Sequence, residues 1–275
     1  MVVAFSALQM PNCLQKALDG PTGKKWDAPT CFSDHAMFLC SHGQLLLAYA
    51  GCCCGADIEH DIVEAIMLAV NSVNDCPYCE GLHGQLARMA GTDGAEELRS
   101  GKTACAKPSA IPAVTYALAC GEADGRGPSE EAAYAVLVQA EGTKRAASIK
   151  ALSLFLMWGS LTGNTLNCTK KRLIGLAPCG GLSAFSLFFF CYYGPLFTMV
   201  FAVNSMLKCF PRMAQQGWFF KVMGLTLWAL AGLWIWPLGL AGLATKLCCG
   251  TPSYTAKQVG KSTSVAPDVE ASALH

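Results

Sequence analysis

From about residue 30 onward, apolar residues recur every three to four positions, which is the spacing of an α-helix that buries one face. The clearest helix is DIEHDIVEAIMLAVNSVN at 57–74. A second is CPYCEGLHGQLARMA at 76–90, where Pro77 favours a helix start and Gly91 favours a stop. No segment alternates with the period of two that marks a strand. The pattern predicts an all-α domain over residues 31–167. Its other helices are predicted at 35–50, 109–120, 129–141 and 143–163.

Two long apolar stretches follow this domain. Leu173–Leu207 contains 35 residues without a charge, and Val222–Thr245 contains another 24. A helix of about 20 apolar residues crosses a bilayer core of about 30 Å. If these stretches were instead buried helices of a soluble domain, that domain would have no charged surface to cover them. The sequence therefore predicts two membrane spans, at about 182–207 and 222–245, within a membrane region at 168–249.

The segments outside these regions complete the predicted topology. Residues 1–30 are broken by prolines and glycines and are expected to be irregular, and residues 250–275 are expected to form a flexible tail. Two spans would place the N-terminal domain and the tail on the same side of the membrane. Six flanking basic residues on that side, against three in the connecting loop, favour the cytosolic face or its equivalent in an organelle.

Charge is scarce in this chain and is unevenly distributed. Of the 275 residues, 53% are hydrophobic and 14% are charged, against roughly 25% charged in a typical soluble domain. Residues 1–141 hold 8 basic and 17 acidic residues, whereas residues 142–267 hold 12 basic residues and no acidic one. The net charge of +1 excludes a nucleic-acid binder with a basic surface, and the apolar content excludes disorder throughout.

The sixteen cysteines do not have the spacing of a disulfide framework. They include the run Cys52-Cys53-Cys54 and the pair Cys248-Cys249, and several lie inside apolar stretches. The N-terminus, MVVAFSALQMPNCLQ, carries no evident secretory signal. We therefore expect free thiols in a reducing compartment.

One pair of thiols has the spacing that redox chemistry requires. In a helix that begins near Cys76, Cys79 lies about 60° from Cys76 around the axis and His83 about 20° from it. Two thiols and an imidazole would then project from one face of the first two turns. The partial positive charge of a helix N-terminus favours a thiolate, and a second thiol three residues away can close a disulfide. His83 can exchange a proton near neutral pH.

Three other interpretations of these residues are open. In a chain with sixteen cysteines, two of them fall three residues apart by chance fairly often. Alternatively, Cys76, Cys79 and His83 join Glu64 or a cysteine of 52–54 around zinc. Finally, the polar residues around Glu64 form no more than the solvated face of their helix. These residues are His60, Asp61, Glu64 and Asn71.

The spacing of Glu64, Cys76, Cys79 and His83 resembles a known signature. It follows E-x11-C-x2-C-x3-H, the pattern of the alkylhydroperoxidase D (AhpD)-like group of the carboxymuconolactone decarboxylase family. The predicted all-helical domain agrees with that fold, as does SLFLMWGSLTGNTLN at 153–167. The resemblance covers about half of the chain and does not extend to the two predicted spans.

The resemblance implies a role for each matching residue. Cys79 corresponds to the thiol that attacks a peroxide or disulfide, and Cys76 to the resolving thiol. Glu64 and His83 correspond to the proton-relay groups that help to deprotonate the pair. Many members carry a further relay histidine between the cysteines, where this chain has Tyr78, and a phenol with a pKa near 10 relays protons less readily. Members are typically trimers or larger, so the resemblance also implies self-association.

The sequence supports two functions of different classes. The first is a membrane-anchored thiol-disulfide oxidoreductase or peroxidase, which reduces hydroperoxides or a partner disulfide and is reset by a lipoyl, thioredoxin-like or peroxiredoxin-type reductant. It requires no metal or organic cofactor. The second is a non-catalytic subunit of a larger membrane complex that uses the AhpD-like domain for docking.

Overall fold

In a computed structural model of the protein, helices make up almost all of the described chain. The structure describes residues 43, 45, 46, 58–123, 125, 127–173, 184–209 and 217–249, and none of these forms a strand. Seven helices with defined bounds run through this part of the chain, with a 3-10 turn between the third and the fourth. The helices are α1 (His60–Asn74), α2 (Pro77–Ala90), α3 (Ala95–Arg99), α4 (Ile111–Glu122), α5 (Pro128–Leu173), α6 (Ala184–Cys209) and α7 (Gly217–Cys249), and the turn is Thr103–Cys105.

The all-α fold class predicted from the sequence is therefore confirmed for the described residues. The segments predicted as irregular, 1–30, and as a flexible tail, 250–275, lie outside them. So does most of the helix predicted at 35–50, although residues 43, 45 and 46 are helical.

A tight turn joins α1 to α2 and fixes the position of the dithiol. α1 ends at Asn74, and the next residue, Asp75, has the left-handed φ of 53° that Asp tolerates better than most residues. α2 then begins at Pro77 and ends before Gly91, whose φ is 69°. The start and the stop predicted for this helix are confirmed.

The longest helix, α5, is interrupted once, at Gly142. This residue has φ 76° and ψ 159°, which lies outside the helical region and separates a segment at 128–141 from one at 143–173. The sequence predicted two helices divided at this glycine. The second segment continues to Leu173, so the domain boundary predicted at residue 167 falls inside a continuous helix.

The core forms where α1 packs against α4 and α5. α1 contributes Ile62, Ile66 and Val70, none more than 1% exposed, and α4 contributes Val114 and Ala117. Burial of each large aliphatic side chain contributes about 1.5–3 kcal/mol. These contacts hold α1 rigidly behind α2, which carries the cysteine pair.

The apolar helix α6 belongs to the same packing unit. Its Phe189 and Tyr193 are fully buried, and Tyr193 lies edge-on to Trp158 of α5, with ring centroids 6.2 Å apart. α6 also contacts α7 through two reciprocal hydrogen bonds. The hydroxyl of Tyr192 donates to the carbonyl of Trp234 at 3.1 Å, and the indole N–H of Trp234 donates to the carbonyl of Tyr192 at 2.7 Å.

One described segment, Leu187–Met206 within α6, is long and apolar enough to cross a membrane. About one-fifth (22%) of its most apolar window is buried inside the fold, and α7 contains a shorter apolar stretch, Gly232–Cys248. Both helices expose large apolar side chains, unlike the buried core helices of a soluble domain. The exposed residues include Leu187, Phe188, Phe190, Trp218, Leu225, Leu233, Trp236 and Leu240.

Candidate active site

Cys76 occupies the N-cap position of α2. Its Sγ accepts a hydrogen bond from the backbone N–H of Cys79 at 3.3 Å, in the place of the hydroxyl or carboxylate oxygen that usually caps a helix. Its own N–H donates to Oδ1 of Asn71 at 3.1 Å, which ties the cap to the last turn of α1. The two thiols are therefore held in the first turn of α2, as the sequence predicted, and both are free cysteines.

Glu64 and His83 form a buried hydrogen bond between α1 and α2. Nδ1 of His83 lies 2.9 Å from Oε2 of Glu64, whose side chain is 3% exposed. A carboxylate can only accept, so Nδ1 carries the proton and Nε2 is left as the nitrogen that can exchange a proton. Burial is the largest influence on the pKa of His83 and lowers it, but the charge and hydrogen bond of Glu64, together with the charge of Cys79, raise this pKa overall.

The pKa values of the two thiols are shifted in opposite directions. The pKa of Cys79 is lowered, chiefly by its hydrogen bond with Cys76 and further by the positive charge of His83, although burial opposes both effects. The pKa of Cys76 is raised well above the usual range because the residue is completely buried and lies beside Cys79. These shifts favour a thiolate on Cys79 over one on Cys76.

A third residue, Ser160 of α5, also stabilises the Cys79 thiolate. Its hydroxyl donates to Sγ of Cys79 at 3.7 Å, and this contact lowers the pKa of the thiol. Sequence analysis noted the segment 153–167 but assigned no role to Ser160 or to Asn71. For Ser160, the sequence did contain a signal: small or polar residues lie along one face of an otherwise apolar helix. These residues are Ser153, Ser160, Gly163, Asn164 and Asn167, all buried in the structure.

Aromatic side chains enclose Cys76 on the side of α6. The ring of Tyr78 lies 5.2 Å, centroid to centroid, from that of Phe197 in a T-shaped arrangement. Gly163 completes the enclosure, since a Cβ atom at this position would lie 2.6 Å from Sγ of Cys76 and 3.2 Å from the Phe197 ring. Cys76 thus lies close to a helix that the sequence assigned to the membrane region.

The hydroxyl of Tyr78 is hydrogen-bonded to a lysine side chain. Its oxygen accepts a hydrogen bond from Nζ of Lys170 at 2.8 Å, and the same ammonium lies 5.3 Å from the centre of the ring. Burial raises the pKa of Tyr78 and lowers that of Lys170. The phenol therefore remains protonated over the physiological range, and its oxygen accepts from a lysine that was interpreted from the sequence only as a basic residue flanking the first predicted span.

The structure also bears on the other interpretations of these residues. Glu64 is 2% exposed and Asn71 is 6% exposed, so these two residues do not lie on a solvated face, whereas His60 and Asp61 are partly exposed. Within the described part of the chain, no group of three or more His, Cys, Asp or Glu side chains could hold a metal ion. The additional zinc ligands considered from the sequence, Cys52–Cys54, lie outside the described residues.

The site therefore consists of two thiols whose pKa values are shifted in opposite directions, a hydrogen-bonded imidazole–carboxylate pair, and a serine hydroxyl that donates to Sγ of Cys79. This arrangement suits an attacking thiolate with a resolving partner. Comparison of the chain with protein-family models, with curated proteins and with solved structures gave no significant match in any of the three. Function is therefore argued from the geometry of this site.

Proposed function

We propose that the protein is a thiol-disulfide oxidoreductase or peroxidase in which Cys79 is the attacking thiol. The observation that carries the proposal is the arrangement around the dithiol: two free thiols lie in the first turn of α2, the hydroxyl of Ser160 donates to Sγ of Cys79, and the hydrogen-bonded pair of Glu64 and His83 lies one turn further along. Cys79 has a lowered pKa and accepts hydrogen bonds, whereas the pKa of Cys76 is raised. A nucleophile must be a thiolate, and its resolving partner must hold its proton until the second step.

The residues of the site account for each step with a hydroperoxide. The Cys79 thiolate attacks the terminal oxygen, so an S–O bond forms and the O–O bond breaks. The alkoxide leaves with the proton held on Nε2 of His83, and Cys79 becomes a sulfenic acid. The sulfur of Cys76 then attacks that of Cys79, and hydroxide leaves as water with the proton of Cys76. A thiol reductant restores the pair and is itself oxidised to a disulfide.

The resemblance of the four site residues to the AhpD-like signature supports the same chemistry. Under this proposal, Glu64 and His83 are the proton-relay groups, and no metal or organic cofactor is needed. The reductant belongs to the lipoyl, thioredoxin-like or peroxiredoxin-type class. The substrate is a hydroperoxide or the disulfide of a partner protein.

We further propose that the protein is an integral membrane protein with two spans, formed by α6 and α7. Support comes from the absence of charge in both stretches and from the large apolar side chains that both helices expose. The thiol domain and the tail would then lie on the same side, which the flanking basic residues favour as cytosolic.

The experiment is a redox assay on the full chain in detergent. One equivalent of an organic hydroperoxide is added, and the state of each cysteine is read by differential alkylation and mass spectrometry. We expect a Cys76–Cys79 disulfide to form rapidly in the wild type, to be absent in Cys79→Ser and to form more slowly in Glu64→Gln. Cys105→Ser is the matched control, because Cys105 is a free, exposed cysteine remote in sequence from the pair.

The proposal fails if both thiols remain reduced and react with alkylating agents no faster than Cys105. Disulfide formation that persists in Cys79→Ser would also contradict it, because the attacking thiol would then be another cysteine.

A second candidate function is a non-catalytic subunit of a larger membrane complex. The complete burial of Cys76 favours it, as does the hydrogen bond that directs Tyr78 towards Lys170. Under this function, the protein would co-purify stably with other membrane subunits, and the dithiol would remain reduced in the assay above.

A further inference from the structure

A second imidazole lies against the carboxylate of the candidate site. His60 is the first residue of α1, one helical turn before Glu64, and its Nε2 lies 3.8 Å from Oε1 of Glu64. The other oxygen, Oε2, is the one that accepts from His83. Each oxygen of the carboxylate therefore faces a different histidine. The AhpD-like signature contains no residue at the position of His60.

The two histidines compete for one negative charge. Glu64 is buried, with 3% of its side chain exposed, so its carboxylate interacts with neighbouring charges through a medium that screens weakly. A proton on either imidazole weakens the hold of Glu64 on the other, and the two imidazolium charges repel each other. His60 is the more accessible of the two, with 34% of its side chain exposed against 15% for His83.

Their ordinary protonation states differ. Burial lowers the pKa of His60, although Glu64 and Asp61 oppose that effect, whereas the pKa of His83 is raised. His83 therefore keeps its proton to a higher pH than His60 does. Asp61, the other charged group that faces His60, forms an ion pair with Lys107, so its charge is already partly balanced.

We propose that His60 is a positioning residue whose protonation weakens the support that Glu64 gives to the imidazolium of His83, and so suppresses the Cys79 thiolate in acid. A neutral His60 leaves the carboxylate fully available to His83. A charged His60 favours return of the proton from His83 to Cys79. This inference rests on the proposed role of Cys79, but it concerns the thiolate and not its substrate.

The test is the alkylation rate of Cys79 by iodoacetamide, measured by mass spectrometry on the full chain in detergent between pH 5 and 9. His60→Gln removes the titrating group, and His60→Lys keeps a positive charge at every pH tested. His275→Gln makes the same chemical change as the first variant at the last residue of the chain.

When the alkylation rate of Cys79 is plotted against pH, we expect the acidic side of the His60→Gln curve (its acid limb) to be shallower and to lie about half a pH unit lower than in the wild type. This shift is about a threefold gain in thiolate at acidic pH. His60→Lys should alkylate about threefold more slowly near pH 7.5, and His275→Gln should follow the wild type. The inference is overturned if both His60 variants follow the wild-type profile. It is also overturned if they lower the rate by the same factor at every pH, because that result would show only a structural role.

The outcomes also separate this inference from the proposed function. If the acid limbs shift as expected but no disulfide forms with hydroperoxide, the role of His60 stands and the peroxidase function fails. If disulfide formation is rapid but the limbs coincide, the function stands and the role of His60 fails.

Discussion

Gly163 is the position at which the smallest change should disturb the dithiol most. Replacement by alanine would place Cβ 2.6 Å from Sγ of Cys76, 3.2 Å from the ring of Phe197 and 3.3 Å from that of Tyr78. Favourable contacts between such atoms lie at about 3.5–4.0 Å, so the thiol must move by about 1 Å. Cys76 is fully buried, so its sulfur can move only if neighbouring side chains also shift.

Two opposing contributions determine the size of the effect. Glycine to alanine inside a helix stabilises by about 0.5–1 kcal/mol, while overpacking a dense core costs about 1–3 kcal/mol. Gly159 lies one turn earlier on α5 and has nothing within 4 Å of its Cβ position, so Gly159→Ala has the first contribution without the second. We expect Gly163→Ala to be less stable than Gly159→Ala by about 1–3 kcal/mol.

The same substitution should alter the reactivity of the site. Displacement of Sγ of Cys76 lengthens its 3.3 Å hydrogen bond with the N–H of Cys79. It also disrupts the hydrogen bond between the two thiols, which is the chief cause of the lowered pKa of Cys79. Denaturant unfolding gives the stability difference, and iodoacetamide alkylation at pH 7 gives the proportion of Cys79 thiolate. If Gly163→Ala matches Gly159→Ala in both measurements, the described packing around Cys76 is wrong.

Three further predictions concern other contacts of the site. Glu64→Gln should lower the stability by about 1–2 kcal/mol at pH 6. The raised pKa of His83 makes its ion pair fully present below about pH 6.5 and lost as the pH rises through the folded-state pKa, so urea unfolding at pH 9.5 should show a smaller loss. Tyr78→Phe removes the acceptor of Lys170 and should cost about 0.5–1.5 kcal/mol in the same assay, with the alkylation rate of Cys79 unchanged. Phe197→Ala should cost about 3–5 kcal/mol and should increase the alkylation of Cys76, because the cover of that thiol is removed.

The part of the site that could be predicted from the sequence is the part that local geometry determines. Cys76, Cys79 and His83 belong to one short segment, so the helical period alone brings them to one face. Pro77 and Gly91 define where that helix begins and ends, and the structure has both boundaries where they were expected. Glu64 was grouped with these residues because of the spacing that resembles the AhpD-like signature, and in the structure it lies 2.9 Å from His83.

The remaining contacts could not be predicted because they join segments that are distant in the chain. Ser160 and Gly163 reach the dithiol from α5, and Phe197 reaches it from α6. Helical periodicity indicates which face of α5 is buried but not which helix covers that face. Lys170 was interpreted as a basic flank of a membrane span, and its hydrogen bond to Tyr78 could not be read from that position in the chain.

The position of α6 links the apolar half of the chain to the thiol chemistry. A helix that only tethered the domain would have no need to approach the dithiol, yet Phe197 packs against Tyr78, and its ring and Sγ of Cys76 flank the same Cβ position at Gly163. One turn further along α6, and on nearly the same face of the helix, Phe201 is 42% exposed. Phe201→Ala is thus the matched control for Phe197→Ala. If the reactivity of Cys76 changes in Phe197→Ala but not in Phe201→Ala, the dithiol depends on a specific contact with α6. The thiol domain and the apolar region would then act as one unit.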